Sequence, residues 1–565
     1  MTLSHSIPPL SRRNLLKLGT AAAVASTIVS RTRESWADGD PPPVKARQPD
    51  RGGTFRIRIP QAPAHFDPHL TAAYSTMVPL SFAYSRLVMI KPGSTIVPGT
   101  QPLDSDLAES WDRVGDTVYI FKLRRNVRWQ PKPPVNGREL TAEDVKYTYD
   151  RFLATKGNPN RSVLDVVDKV EAPDKYTVKF TLKEPNAWFY DRLASTSTWI
   201  IARECVEKYG DLKKWESVVG TGPWMLDRYE PGTKLTFVRN PNCFYPNLPY
   251  VDSVELSIIA DPNAALAAFL AGKLDFGPEY GMTLRRGDIA AAKKRLGHWW
   301  LPLQTREFLM PSGRITAMKL DQDPLKDVRV RRAIAMADNW HQILERNPLA
   351  QGKGTPGPII PAALRDWSLS IKELPPDGQK LYEPSDPAAA RQLLTAAGYS
   401  GGIKIPVDTT AGYGPDWMDA VQATVKSWKA AGIDAELKMQ DYDAFVSSSV
   451  YGKFDKMMLG VRNAATDPDS YLETLMPGDS LNSSGVNDPK LTEMIKHQRR
   501  TFKDSARRDI VYDIQRYCSQ QVYYVCGPSP SVVAAWMPNV IDFGPNIGPD
   551  YGGRLMSAWI DRQVQ

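Results

Sequence analysis

The residue pairs best suited to bind a metal or transfer protons occur where neither chemistry is favoured. His65 and His69 have the four-residue spacing of helical metal ligands, but Pro68 interrupts the helix that would direct both rings at one ion. Asp467 and Asp469 form a carboxylate pair, yet neighbouring aspartates in loops are usually caps or turn formers. We therefore predict no catalytic residues, no metal site and no cofactor.

A glycine-rich segment at residues 352–357 matches the pattern G-x-G-x-x-G of dinucleotide-binding loops. Such a loop follows a strand and opens a helix whose N terminus binds phosphate. No strand pattern precedes this segment, and Pro358 and Pro361 follow where the helix should begin. We interpret it as an ordinary loop. The sequence also has no G-x-S-x-G, Walker or H-E-x-x-H motif.

Strand and helix signals alternate along the chain. Period-two alternation predicts half-buried strands at residues 55–59, 118–123, 176–182, 235–238, 254–258 and 435–439. Residues 141–144 read as a capping box, Asp327 and Asp386 as N-caps, and residues 417–431 as a helix that ends before a glycine. Without a fixed-period repeat, this pattern predicts an α/β fold.

Length, composition and charge narrow the class of protein. A chain of 565 residues exceeds the roughly 250–300 residues that one hydrophobic core supports, so we expect two or three domains. The formal net charge is +8, but basic residues are interleaved with acidic ones, and several lie in the first 37 residues. Because no basic patch results, we predict no nucleic-acid partner.

The first 37 residues have the pattern of an export signal. Arg12 and Arg13 precede a short apolar stretch at 18–29, and Ala37 ends a small-x-small cleavage pattern, as in twin-arginine signal peptides. About twelve apolar residues are too few for a membrane anchor, which needs about 20. We expect cleavage, a linker at 38–51 and a periplasmic product.

Four cysteines, Cys205, Cys243, Cys518 and Cys526, lie beyond this leader. In an oxidising compartment they permit up to two disulfides, and four free thiols are the alternative.

From residue 52 onward the chain resembles the peptide/opine/nickel-type solute-binding proteins of ABC importers, known as family 5. The stretches that carry the resemblance occur in the family's order, at 52–57, 66–69, 107–111, 119–124, 136–145, 220–224, 239–241, 272–275, 327–333 and 467–469. One departure follows the helix that Asp327 caps: relatives continue Ala-Ile-Asp-Arg, whereas this chain has Asp338, Asn339 and Trp340 after Ala337.

The resemblance implies a periplasmic binding protein type II-like fold with two lobes, a hinge and an extra domain. Domain I would comprise residues 52–84, 218–297 and 520–565, domain II residues 85–217, and domain III residues 298–519. It also implies a monomer that captures a small-molecule ligand for an ABC permease and ATPase complex in the inner membrane. A ligand sensor or chaperone on the same fold is the alternative, and a periplasmic hydrolase is the weaker one because no nucleophile–base signature is present.

Stretches that line the cleft in relatives correspond here to 72–76, 303–308, 410–417 and 461–467. Aromatic side chains there supply stacking surface, and charged ones fix a ligand's orientation. The candidate ligand-binding residues are Tyr74, Ser75, Arg306, Tyr413, Trp417, Arg462 and Asp467. Each has a structural alternative: the tyrosines as loop residues, Trp417 as a core residue and Asp467 as a helix cap.

Relatives that bind dipeptides place an acidic residue and an arginine where this chain has Ala464 and Ala411. Because a buried, unpaired charge is costly, we expect simple dipeptides to be poor ligands, and carboxylated, aromatic or opine-like compounds to be preferred. Asp467 is an alternative partner for an ammonium group.

Overall fold

The structure is a computed structural model that describes residues 48–297, 301–311, 313–462, 464–465 and 467–563. The predicted leader at 1–37 and most of the predicted linker at 38–51 lie outside these residues. In the described part, no helix has the length and apolar character needed to span a membrane.

The elements are numbered in chain order. The strands are β1 Thr54–Ile59, β2 Val88–Ile90, β3 Leu103–Ser105, β4 Ala108–Val114, β5 Val118–Leu123, β6 Val167–Asp174, β7 Thr177–Leu182, β8 Trp224–Glu230, β9 Lys234–Arg239, β10 Ser253–Ile258, β11 Thr283–Leu284, β12 Gln304–Leu309, β13 Gly313–Met318, β14 Gly354–Thr355, β15 Ile403–Thr410, β16 Ile433–Gln440, β17 Met457–Arg462, β18 Tyr524–Cys526, β19 Ser529–Trp536, β20 Val540–Ile541 and β21 Trp559–Ile560. The α-helices are α1 Tyr74–Ala83, α2 Ala142–Ala154, α3 Phe189–Leu193, α4 Arg203–Tyr209, α5 Pro262–Leu270, α6 Ile289–Leu296, α7 Val328–Met336, α8 Trp340–Arg346, α9 Pro376–Gln379, α10 Pro387–Ala396, α11 Pro415–Ala430, α12 Tyr442–Ser447, α13 Asp469–Leu472, α14 Pro489–Arg500, α15 Asp504–Gln521 and α16 Tyr551–Leu555.

Local sequence signals account for the starts of several helices. The predicted capping box opens α2, where Asp144 accepts a hydrogen bond from the Thr141 backbone N–H at 2.9 Å. Asp327 and Asp386 cap α7 and α10 as predicted. The helix predicted at 417–431 begins two residues earlier, because Pro415 suits the first helical position and Gly414 has a φ of 96°.

The strands form four larger sheets. One has the order β1-β10-β9-β8, with β1 and β10 parallel, and another is the antiparallel meander β4-β5-β7-β6. The third has the order β11-β19-β12, and β14 pairs with the first residues of β19. Part of the glycine-rich segment that was predicted as a loop is therefore a short strand. The five-stranded sheet β16-β15-β17-β13-β18 is mixed, with β15 parallel to β16 and β17. The predicted α/β class is confirmed.

Two direct passages of the chain, from β12 to β13 and from β18 to β19, join the third sheet to the five-stranded sheet, and they lie side by side. β12 pairs with β19, and β13 pairs with β18, each antiparallel. Between these pairs, Met310 donates its N–H to the carbonyl of Pro530, and Gly527 donates to that of Arg314. β12 falls in the range predicted for domain III, yet it pairs with strands of the range predicted for domain I. The predicted domain boundaries themselves stay a prediction.

Separate buried clusters support the two regions. One cluster combines the first sheet with the meander and includes Phe55 and Phe180. Two others adjoin the five-stranded sheet: Met457 and Leu459 belong to one, and Met458 to the other. Because successive strand side chains point to opposite faces, these two clusters cover opposite faces of the sheet.

The departure from the family pattern after α7 has a structural counterpart. The helix ends at Met336, and the buried carboxylate of Asp338 forms an ion pair with Arg314 on β13. Asn339 then caps α8 through a hydrogen bond from the Gln342 N–H at 3.1 Å. The four cysteines are free thiols, so the alternative without disulfides describes this structure.

Candidate ligand-binding site

The first predicted site residues lie at the N terminus of α1. Tyr74 and Ser75 line a small pocket, together with Arg58, Glu279 and Tyr280 among others. The rings of Tyr74 and Tyr280 meet edge to face, 5.7 Å between centroids. Burial raises the pKa of Tyr74, so its hydroxyl stays protonated and available as a hydrogen-bond donor at neutral pH. We call this surface the Tyr280 wall.

Charged groups of the Tyr280 wall differ in how firmly they are held. The three guanidinium nitrogens of Arg58 donate to the carbonyls of Ile259, Pro278 and Ala260. Glu279 lies 3.8 Å from Arg58 and 3.1 Å from the Nε of Arg285. The guanidinium of Arg58 is thus hydrogen-bonded to backbone carbonyls. The guanidinium of Arg285, which directly follows β11, is instead paired with a carboxylate side chain.

A second aromatic surface follows β15. Tyr413 lies in the turn before α11, and its ring is 5.4 Å from both Trp417 in the first turn of α11 and Tyr442 at the start of α12. Trp417 is 9% exposed, and its indole Nε1–H has no hydrogen-bond partner in the described part of the chain. We call this surface the Tyr413 wall. Trp417 also belongs to a buried cluster on one face of the five-stranded sheet, in keeping with its alternative interpretation as a core residue.

The two walls approach each other across a cleft. Arg285 of the first lies 3.5 Å from the carboxylate of Asp416, which directly precedes Trp417. Tyr551 and Tyr442 are neighbours of the Tyr280 hydroxyl. Both Tyr280 and Tyr442 are large apolar side chains that stay exposed. The structure therefore brings together Tyr74, Ser75, Tyr413 and Trp417 from segments more than 300 residues apart.

Arg462 and Asp467 both form hydrogen bonds with other residues of the protein. Arg462 donates to the carbonyls of Ile359 and Tyr471, with its guanidinium 4.2 Å from the Tyr471 ring centroid. Asp467 accepts hydrogen bonds from the N–H and the hydroxyl of Ser470, as the helix-cap interpretation predicted. Their contact with ligand stays a prediction.

Arg306 is not brought to either wall. It lies on β12, opposite Ala534 of β19, and donates to the carbonyl of Ser94 at 2.8 Å. Its assignment to the ligand site stays a prediction, and its observed contact is structural.

Several residues of the walls were not predicted: Arg58, Glu279, Tyr280, Arg285, Asp416 and Tyr442. Glu279, Tyr280, Arg285 and Tyr442 lie in turns or at element ends, where no periodic pattern marks them, whereas Arg58 lies within the predicted strand β1 and Asp416 within the stretch 410–417. The only signal near them was the aromatic segment that ends at Trp417, next to Asp416. In the described residues, no group of three or more His, Cys, Asp or Glu side chains is arranged to hold a metal ion.

Comparison with known proteins gives the same picture of fold and class. The family model described as bacterial extracellular solute-binding proteins, family 5 Middle, matches residues 103–482. Di/tripeptide-binding protein 3 of Pseudomonas aeruginosa strain UCBPP-PA14 is 29% identical over 503 residues, which cover 82% of this chain and 86% of that protein.

Two solved structures are similar to this one over nearly its whole length. The periplasmic binding protein DppA from Helicobacter pylori, in complex with peptide STSA, has a TM-score of 0.75 at 20% identity, covering 91% of this chain and 99% of that one. AgaA from A. tumefaciens R10, in complex with agropinic acid, has a TM-score of 0.74 at 21% identity, covering 90% and 99%. The predicted periplasmic binding protein fold, with several domains and a cleft, is confirmed.

Proposed function

This chain belongs to the bacterial extracellular solute-binding proteins of family 5, the ligand-binding components of ABC importers, and we propose that it captures a small carboxylated, aromatic or peptide-like solute between its Tyr280 and Tyr413 walls. The observation that carries this proposal is the meeting of two aromatic surfaces, with Tyr74 and Tyr280 on one side and Tyr413, Trp417 and Tyr442 on the other, where Arg285 lies 3.5 Å from Asp416. Aromatic rings bind planar or apolar groups by stacking, and few polar groups are needed to orient the ligand.

We further propose that capture occurs by closure of two lobes. The paired passages at β12–β13 and β18–β19 run side by side between the third sheet and the five-stranded sheet, and the chain also leaves the five-stranded sheet between β13 and β15 to form β14 on β19. A two-stranded connection of this kind permits one lobe to rotate relative to the other through changes in the backbone angles of a few residues. The domain ranges 52–84, 218–297 and 520–565, 85–217, and 298–519 are the proposed units of this movement.

Partners and location follow as proposals from the family. The ligand-loaded protein would dock as a monomer on an ABC permease and ATPase complex after export to the periplasm directed by Arg12 and Arg13. We propose binding without catalysis. The sensor or chaperone alternative needs the same cleft and differs only in the partner.

The test uses protein secreted to the periplasm. Mass spectrometry of denatured protein should identify a small molecule at close to one equivalent. Calorimetry with that compound should give tight binding to the wild type and roughly 10- to 100-fold weaker binding to Tyr413→Ala, because one stacking surface is lost. Tyr512→Ala is the control, since Tyr512 lies on α15 with its hydroxyl on the Asp366 carbonyl. Equal affinities in both variants would contradict the proposal.

A further inference from the structure

A small pocket lies where the two direct passages between the third sheet and the five-stranded sheet run side by side. Pro311 and Gly313 line it from the passage between β12 and β13, and Gly527 and Pro528 line it from the passage between β18 and β19. We call it the passage pocket. Among the described residues, none of those that form the Tyr280 wall or the Tyr413 wall lines it. It is therefore separate from the proposed solute site.

Two buried arginines line the passage pocket. Arg314 on β13 is 8% exposed, and Arg462 on β17 is 9% exposed. They come from neighbouring antiparallel strands, because Gly313 pairs with Arg462 and Arg314 with Val461. Within the described part of the chain, the lining includes no aspartate or glutamate. Because guanidinium groups repel each other strongly in a medium of low dielectric constant, an anion between them would be favoured.

Arg314 also has a hydrogen-bond donor that the protein leaves unused. Its guanidinium forms an ion pair with the buried carboxylate of Asp338, and its Nη1 lies 3.4 Å from the hydroxyl oxygen of Thr316. The Nε–H of Arg314 is buried and has no hydrogen-bond partner within the described residues. A buried donor in this condition costs free energy unless a water molecule or an ion accepts its hydrogen bond.

Two further side chains of the second passage face the same pocket. The hydroxyl oxygen of Ser529 accepts a hydrogen bond from the N–H of Ala363 at 3.4 Å, so its own proton remains able to donate. The thiol of Cys526 lies 3.8 Å from Nη1 of Arg462. Burial raises the pKa of this thiol, whereas Arg462 and Arg314 both act to lower it. Both guanidinium groups therefore lie near the same part of the pocket lining.

The size of the passage pocket restricts what it can hold. It has room for a group about the size of one water molecule, which is too little for an amino acid or a larger solute. A monatomic anion meets the requirements of both size and charge. Such an ion accepts hydrogen bonds from guanidinium and hydroxyl groups, and bonds to a charged partner are stronger than those between neutral groups.

We propose that the passage pocket is a chloride site, in which Arg314, Arg462 and Ser529 bind the ion. The ion lies between the two guanidinium groups and accepts a hydrogen bond from the Nε–H of Arg314. Since both passages line the pocket, the bound ion stabilises the junction between the two sheets. This site goes beyond the proposed function and does not depend on which solute is captured between the walls.

Thermal unfolding of the full mature chain, prepared in gluconate without halide, tests the proposal. When chloride or bromide replaces gluconate at constant ionic strength, the melting temperature should rise by about 1–3 °C and then level off. An ion that binds only the folded state stabilises it in this way, whereas general screening is the same for all monovalent salts. Equal melting temperatures in gluconate and chloride would overturn the proposal.

A double variant tests whether the halide effect comes from this pocket. Arg314→Met combined with Asp338→Leu removes both members of the buried pair, so that no carboxylate is left without its partner. It should lose the halide-dependent rise in melting temperature. The matched control, Arg500→Met combined with Glu493→Leu, removes an exposed pair 3.7 Å apart on α14 and should keep that rise. A rise that persists in the first variant would contradict the assignment to Arg314.

Bromide locates the ion directly. Wild-type crystals grown without halide and soaked in bromide should show an anomalous difference peak in the passage pocket, in contact with Arg314 and Arg462. This measurement needs no variant, so it decides the proposal even if the double variant does not fold. Water alone in the pocket, or bromide at exposed surface sites only, would overturn the proposal. Neither result bears on solute capture, which co-purification of a ligand tests separately.

Discussion

Arg192 donates a hydrogen bond of 2.6 Å to Asp469, although the two residues are 277 positions apart and both are buried. Arg192 ends the short α3 in the range predicted for domain II, and Asp469 begins α13 in the range predicted for domain III. Arg192 also pairs with Glu473, and Arg499 lies 2.9 Å from Asp469. Burial alone would raise the pKa of Asp469, but Arg499 and Arg192 outweigh it and lower that pKa. These ions therefore connect two predicted domains in the state described here.

Removing one member of this network should strongly destabilise the protein. Arg192→Met leaves Asp469 and Glu473 with fewer cationic partners in a buried site, at an expected cost of about 3–5 kcal/mol. Denaturant unfolding at pH 7 measures the change. Arg203→Met, which removes an exposed side chain 3.7 Å from Glu207, should cost less than about 1 kcal/mol. Similar losses of unfolding free energy in the two variants would contradict this prediction.

The same network should favour the closed arrangement of the lobes. Small-angle scattering should give a smaller radius of gyration for protein saturated with the co-purified ligand than for protein stripped of it, because closure brings the walls together. In Arg192→Met the stripped protein should be at least as extended as the wild type. An unchanged radius in the wild type on ligand saturation would contradict the hinge at β12–β13 and β18–β19.

Residues 218–223, at the predicted boundary between domains II and I, should not tolerate added side chains. A Cβ on Gly220 would lie 2.0 Å from the carbonyl oxygen of Ala83, at the end of α1. Gly220→Ala should therefore reduce the free energy of unfolding by about 1–3 kcal/mol, since backbone must move to relieve the clash. Gly401→Ala, with nothing within 4 Å of its Cβ position, should be close to neutral. Thermal unfolding of both variants checks this.

Asp275 should make stability depend on pH. Burial raises its pKa from 3.8 to about 6, although the Arg56 N–H donates to its carboxylate at 2.6 Å. Because the folded protein holds this proton more tightly than the unfolded chain, the stabilisation is complete below about pH 4 and is lost as pH rises through about 6. Asp275→Asn keeps an acceptor for Arg56 and carries no charge. It should exceed the wild type in stability by about 2–3 kcal/mol at pH 8, with a difference that shrinks toward pH 4. A pH-independent difference would contradict this.

Local signals in the sequence predicted much of the fold. The capping box at Thr141 and the caps at Asp327 and Asp386 act through neighbours two or three residues away, so the sequence alone specifies them. The pairing of Arg314 with Asp338 could not be predicted in this way, because β13 and the end of α7 meet only through the tertiary fold. The contact between Arg306 and the carbonyl of Ser94 could not be predicted for the same reason.

The candidate site was predicted in part for the same reason. Tyr74, Ser75, Tyr413 and Trp417 were placed by the family resemblance, and they line the two walls. Tyr280, Arg285 and Tyr442 join them only because segments far apart in the chain meet across the cleft. No pattern of spacing relates these residues, so their roles follow from the three-dimensional structure.

The most direct test of solute capture between the Tyr280 and Tyr413 walls is the crystal structure of protein purified from the periplasm with its co-purifying ligand. We predict electron density for one small molecule between Tyr280 and Tyr413. Empty density there, with the ligand instead in the separate pocket lined by Trp340, Tyr382 and Cys518, would contradict the account.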